Sequence, residues 1–412
     1  MKRVMLYALT ASVIFAVITT PAGIWAQSTP EATPSPVVST PTFEIVHTQD
    51  ASHSSNVSMD KPLCAPRVYL IEPVDCLLMG PAKALTDLAQ KGLTLPLKPL
   101  PAVKPDPSLA QIEKKYAKLN LPYGDQATFY PNPESAAASV NALRKLPPGQ
   151  NQYISYKSQA IMNGNPYVMV ETNEWIRASP TNYSFFQGLQ FVRQPINDFG
   201  WIVEDTNPRI STSYLAKALP IKLTREMVVQ VYDQVEAEKT TWYMVGLGQW
   251  VDQRYIRVVD IHTPRPEGVD NDRWIEVNLN QQVVTVHEGG KILFASLLAS
   301  GAEPYFTRPG LFKITEKKEY ETMTGAFETG KVDYYLFENV PFTMYYDQKR
   351  ALHGAYWRAW FGYPQSHGCV NLSIGDAHWL FNWANEGDWV YVWDPSGKTP
   401  TDPAFYGDRG AF

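Results

Sequence analysis

Ser366-His367-Gly368-Cys369-Val370-Asn371 places an imidazole, a glycine and a thiol at consecutive positions. A thiolate is the strongest simple side-chain nucleophile. It needs a base within hydrogen-bond reach and donors for the oxyanion formed on attack. Gly368 lets the backbone beside the thiol approach a ligand closely. His353-Gly354 lies upstream and His378 downstream, so three of the seven histidines fall near the cysteine. With this composition a His-Gly-Cys triplet is expected only roughly 0.003 times by chance, so coincidence is a poor explanation. We read Cys369 as a nucleophile, with His353 and His367 as candidate bases. His353 is favoured, because a residue on a separate strand can face the thiol. His367 is only two positions from it. A zinc site built from His353, His367, Cys369 and His378 is the competing reading. His-x-Cys spacing is tight for two ligands and no CxxC pattern supports it, so no metal is expected. His378 reads as a surface or packing residue on a helix.

Outward from the cysteine the chain alternates short strands and one helix. Ser373 can cap a helix with Asp376 at its third position, a variant of the capping box. Ala377, Leu380, Phe381 and Ala384 give that helix an apolar face, and Trp389-Val390-Tyr391-Val392-Trp393 is a last strand. Upstream, Trp274-Ile275-Glu276-Val277-Asn278-Leu279 alternates apolar and polar residues. Residues 282–287 and 291–299 flank Glu288-Gly289-Gly290, a hairpin signal. Strands also fit 311–315 and 340–346. The expectation is a mainly β domain over residues 273–394 with one or two helices, followed by a tail at 395–412.

His353-Gly354, a gap, then Ser366-His367-Gly368-Cys369-Val370-Asn371 resembles the signature of the YkuD-type L,D-transpeptidases. The resemblance covers under a third of the chain, and its motif is highly specific. It implies a β-rich catalytic domain with the cysteine in a loop between sheet and helix. Cys369 would be the nucleophile and His353 the proton donor and acceptor. His367 and Gly368 would shape the oxyanion site, while Ser366 and Asn371 would hold the loop. Tyr345 and Trp357 are implied substrate contacts. The gap between the histidine positions is short against many members, so the covering loop is expected to be trimmed. The implied reaction joins two peptidoglycan stem peptides, donor and acceptor, into a 3→3 cross-link through a cysteine thioester, without a cofactor. The resemblance also implies acylation by carbapenem-type inhibitors, and a place in cell-wall biogenesis and cell shape. Alternatives are an L,D-carboxypeptidase, a transpeptidase that anchors proteins to the wall, or a wall-binding protein with a vestigial catalytic domain.

The rest of the chain points outside the cytoplasm. Lys2 and Arg3 precede an apolar run from Val4 to about Ala22, and Ala26 ends a cleavage-like site, so residues 1–26 read as a signal peptide. An uncleaved anchor is the second reading. Residues 27–62 are a Ser/Thr/Pro-rich linker. Cys64 and Cys76 are close in sequence and far from Cys369, so they are paired as a local disulfide; two buried thiols are the alternative. The protein is expected to be secreted or associated with wall or membrane. A net charge of -5 argues against nucleic acid as a partner.

Residues 63–150 have no assigned fold. Within them a helix is expected at 82–90, ended by Gly92. Another would start at Ser108 and run through Tyr116 and Leu119, and a third would span 134–145. Residues 151–265 read as β modules. Tyr167-Val168-Met169-Val170 followed by Trp175-Ile176 repeats as Trp242-Tyr243-Met244-Val245 followed by Trp250-Val251. Each copy reads as strand, tight turn, strand. Small SH3-like domains are one interpretation and coincidence the other.

Overall fold

The computed structural model describes residues 80–93, 98–122, 124–149, 151–181, 188–326 and 334–406. The expected signal peptide, the linker and the Cys64–Cys76 pair lie outside these residues. The described residues belong to one compact unit.

The fold is mainly β, and two seven-stranded sheets enclose its largest core. The first runs Ala102–Val103, Leu189–Phe191, Lys291–Leu297, Val283–Glu288, Arg273–Asn278, Trp389–Trp393, Gly310–Lys313. The second runs Val370–Leu372, Arg350–Gly354, Tyr335–Asp347, Gln152–Tyr156, Lys115–Lys118, Ser179–Thr181, with Glu316–Gly325 also paired to Tyr335–Asp347. Ile275, Val277, Val284, Val286 and Phe294 from the first sheet meet Met344, Leu352, Val370 and Leu372 from the second. Helix Ile374–Trp383 closes this core with Ala377 and Leu380. Ser373 caps it by accepting the Asp376 N–H, as the sequence predicts. The Glu288-Gly289-Gly290 hairpin also forms. Gly289 and Gly290 have φ of 60° and 70°, the left-handed pair that a two-residue turn between twisted strands requires.

Strands from residues 102–191 therefore belong to the same sheets as strands after residue 273. Gln152–Tyr156 runs parallel to Tyr335–Asp347, with Phe337 opposite Tyr153. Tyr116 stacks on Tyr356 at 3.5 Å between ring centroids and donates its hydroxyl to the Asn339 carbonyl at 2.7 Å. Glu338 accepts the Ser155 N–H at 3.0 Å. Tyr116→Ala is expected to destabilise the protein by about 3–5 kcal/mol, because it empties a buried ring position at this junction. Urea unfolding followed by far-ultraviolet dichroism checks it.

Two helix expectations are corrected. Asp106, not Ser108, caps a turn that ends at Ala110; its carboxylate accepts the Ser108 N–H at 2.9 Å. Lys115–Lys118 is then a strand. Tyr116 faces the main core, while Ala117 and Leu119 face a second one, so the chain follows a two-residue period. The helix expected to follow a Ser108 cap is overridden by pairing of this segment on both edges. The expected 134–145 helix spans only Pro133–Ala138, capped by Asn132. Ser139 and Asn141 take left-handed φ of 56° and 58° and stop it, and Arg144–Lys145 then pairs with Thr128–Phe129. The first helix, Gly80–Gln90, forms as expected, with Gly92 at φ 84° behind it.

Both repeat copies are hairpins in the same register. Met169 faces Trp175 in one, and Met244 faces Trp250 in the other. Each hairpin extends to a three-stranded meander, 158–177 and 233–252. An SH3-like barrel is not established for either.

Candidate active site

The site arises from strand alternation. Arg350–Gly354 runs parallel to Val370–Leu372, with Leu352 opposite Val370 and His353 opposite Asn371. Leu352, Val370 and Leu372 enter the core. On a pleated strand the alternate positions face the other way. His353, Asn371 and Cys369, two before Asn371, accordingly line one cleft of about 930 Å³.

The loop that carries the cysteine is braced at every turn. Ser366 Oγ donates to the Cys369 carbonyl at 2.6 Å and accepts the Gly368 N–H at 3.1 Å. Thr307 Oγ1 donates to the Gly368 carbonyl at 2.9 Å and accepts the Gly301 N–H at 2.8 Å. The Gln365 and Ser366 N–H groups both donate to the Ser300 carbonyl, and Asn371 exchanges backbone hydrogen bonds with Ala299. Gly368 sits at φ 121°, a region that side chains rarely adopt. Gly368→Ala is expected to cost about 1–3 kcal/mol of stability and to slow every reaction of Cys369. Thermal unfolding and the rate of iodoacetamide labelling at Cys369 test the two effects.

His353 is only 1% exposed. Its Nδ1 lies 3.3 Å from the Gly354 carbonyl. A carbonyl only accepts, so Nδ1 carries the proton and Nε2 is the basic nitrogen. Burial pushes the imidazole pKa down to about 4; the Arg358 cation acts in the same direction and the Gly354 hydrogen bond against it. Burial also pushes the Cys369 thiol up, opposed by the Ala351 N–H and the Arg350 cation. The resting pair is thus a neutral thiol and a neutral imidazole.

Tyr345 and Trp357 line the cleft. Trp357 stacks on Phe337 at 4.0 Å and lies 5.6 Å from the His353 ring. His367 is exposed, with its ring 4.7 Å from that of Tyr305. The Gly368 N–H points at Ser366 Oγ, so this glycine braces the loop through its own backbone. His378 stacks on Phe342 at 4.1 Å and its Nδ1 lies 3.0 Å from the Leu109 carbonyl. It packs between Phe342 and the Leu109 carbonyl. The sequence reading missed Tyr153 and Arg358, which also line the cleft. Tyr153 carries no local signal, since parallel pairing alone brings it beside Phe337. Arg358, five residues after His353, donates to the Gln365 side chain at 2.8 Å and to its carbonyl at 2.6 Å.

A buried imidazole and a half-buried thiol on a braced loop thus share one cleft. Residues 272–392 match the model of the YkuD family, the L,D-transpeptidase catalytic domain, and the chain carries such a domain there. A Bacillus subtilis (strain 168) protein named as an L,D-transpeptidase, YciB, is 27% identical over 119 residues; these are 26% of this chain and 59% of that protein. The chain therefore spans about three fifths of that relative's length. Among solved structures, the catalytic domain of the E. faecium L,D-transpeptidase aligns at 27% identity and a TM-score of 0.27, over 31% of this chain and 100% of that one. The L,D-transpeptidase LdtMt1 in complex with imipenem aligns at 16% identity and a TM-score of 0.28, over 50% of this chain and 90% of that one.

Proposed function

We propose that the protein is an exported peptidoglycan L,D-transpeptidase that forms 3→3 cross-links. The observation that carries this reading is the joint placement of Cys369, His353 and Asn371 on one cleft within the YkuD segment. Substrate entry displaces water, and His353 Nε2 takes the thiol proton as Sγ attacks the carbonyl of the donor stem's third residue. The C–S bond forms and the amide C–N bond breaks. The leaving D-alanine amine takes the proton back from His353. The side-chain amine of an acceptor stem then attacks the thioester, the C–S bond breaks, and His353 takes the amine proton and passes it to the departing Sγ, which restores the neutral pair. A neutral resting pair suits this sequence, because the thiolate is formed only when a substrate carbonyl is present to consume it. Carbapenems are expected to acylate Cys369, since their strained ring offers the same thiolate a reactive carbonyl.

The test is mass spectrometry of a disaccharide-tetrapeptide incubated with the protein. A dimer lacking one D-alanine, absent with Cys369→Ala, supports transpeptidation. Tripeptide alone would replace it with carboxypeptidase action, in which water takes the place of the amine. An unchanged substrate would count against both.

A further inference from the structure

Trp360 is 56% exposed on the wall of the active-site cleft. An indole left half in water costs apolar exposure unless a ligand covers it. Its position is well defined. The Arg225 guanidinium lies over the ring at 4.3 Å from its centroid. Arg225 is itself anchored, donating from Nη1 to the Val203 carbonyl at 2.7 Å and from its backbone N–H to Asp205 at 2.9 Å. The rest of the loop is docked on the same neighbouring segment. Arg257 Nε donates to the Gly362 carbonyl at 2.7 Å, and the Tyr363 hydroxyl donates to Glu204 at 2.8 Å. Residues outside the YkuD segment thus hold an aromatic face rigidly at the cleft. Such rigidity is how a binding platform avoids the ordering cost of a mobile side chain.

A flat, half-exposed ring selects a ligand with a flat, weakly polar C–H face. A pyranose ring offers a broader and flatter C–H face than alanine or the methylene chain of an aliphatic diamino acid, and its substituents then need polar partners. Asn151 lines the same cleft and has an amide group of that kind, whereas the Gln365 amide accepts from Arg358 and donates to the Trp360 carbonyl, so that it helps to hold the ring's backbone. The cleft volume of about 930 Å³ lies near the upper end for small-ligand sites, with room for more than a short peptide.

We propose that Trp360 is the platform of a sugar subsite that receives the N-acetylated disaccharide of the stem substrate, with Arg225 as its positioning residue. This rests on the function proposed above. The probe is protection of Cys369 from iodoacetamide at alkaline pH, read from the mass of its peptide in the full chain. Disaccharide-tetrapeptide is compared with the same tetrapeptide lacking sugars. The wild type is expected to be half-protected at about tenfold lower concentration of the sugar-bearing ligand, which is what one aromatic contact supplies. Trp360→Ala, a change at an exposed side chain, is expected to erase that difference while leaving protection by the bare tetrapeptide unchanged. Arg225→Gln is expected to reduce it. Equal protection by the two ligands in the wild type, or an undiminished difference in Trp360→Ala, overturns the subsite and leaves the transpeptidase reading standing. Protection by neither ligand removes the stem-peptide reading, and the subsite falls with it.

Discussion

Cys369→Ala is expected to lower cross-linking by about 10⁴-fold or more, because the covalent intermediate can no longer form. The side chain is half-buried at the cleft, and the bonds that shape its loop come from Ser366, Thr307 and the backbone. Alanine leaves all of them in place. Stability should therefore change by less than about 1 kcal/mol. Turnover and urea unfolding measured on one preparation separate lost chemistry from lost fold. Retained turnover with a folded variant would rule out Cys369 as the nucleophile. The intact protein should gain the mass of one acyl group on treatment with a carbapenem, and the alanine variant none.

His353→Gln is the second large effect, expected at about 10²–10⁴-fold in rate through loss of the general base. It has a second signature that does not depend on substrate. The His353 pKa is about 4 in the fold against 6.5 as the ordinary value. Between these values the unfolded chain binds a proton that the native state does not, so this group loses stability as pH falls from about 6.5 to about 4. Asp376 works in the opposite sense. Burial pushes it up to about 6 from 3.8, against the opposing hydrogen bonds of Ser296, Ser373 and Gly188. Its native state binds the extra proton, so stability is lost as pH rises from about 3.8 to about 6. In the shared window the native and unfolded states hold equal numbers of protons on this pair, and the two slopes cancel. In His353→Gln the Asp376 slope is left alone. Relative to the wild type, the variant is expected to gain up to about 3 kcal/mol as pH falls from 7 to 4. Urea midpoints at several pH values give the difference, and parallel curves would mean that His353 is not buried neutral.

The cysteine loop, the histidine upstream, the helix cap at Ser373 and the C-terminal strands were legible because each is written locally. A thiol beside a glycine, a Ser/Asp cap and a Gly-Gly hairpin act within a few residues of themselves. The strand 115–118 was not legible because a cap-like Ser108 precedes it, and only pairing on both edges shows a two-residue period. The helix at 133–138 was read too long because left-handed stops at Ser139 and Asn141 need no glycine.

By itself, the sequence determined the YkuD segment, the residues that meet at its cleft and the mainly β character around them. Tertiary structure alone decided the shape of the cleft and the state of its groups. Tyr153 lines it from a segment far away in the chain, through a parallel strand pairing, and Arg225, equally distant, lies over the Trp360 indole on its wall. The neutral forms of His353 and Cys369 follow from burial. Burial and long-range pairing are sums over the whole packed chain, so no short stretch of residues encodes them.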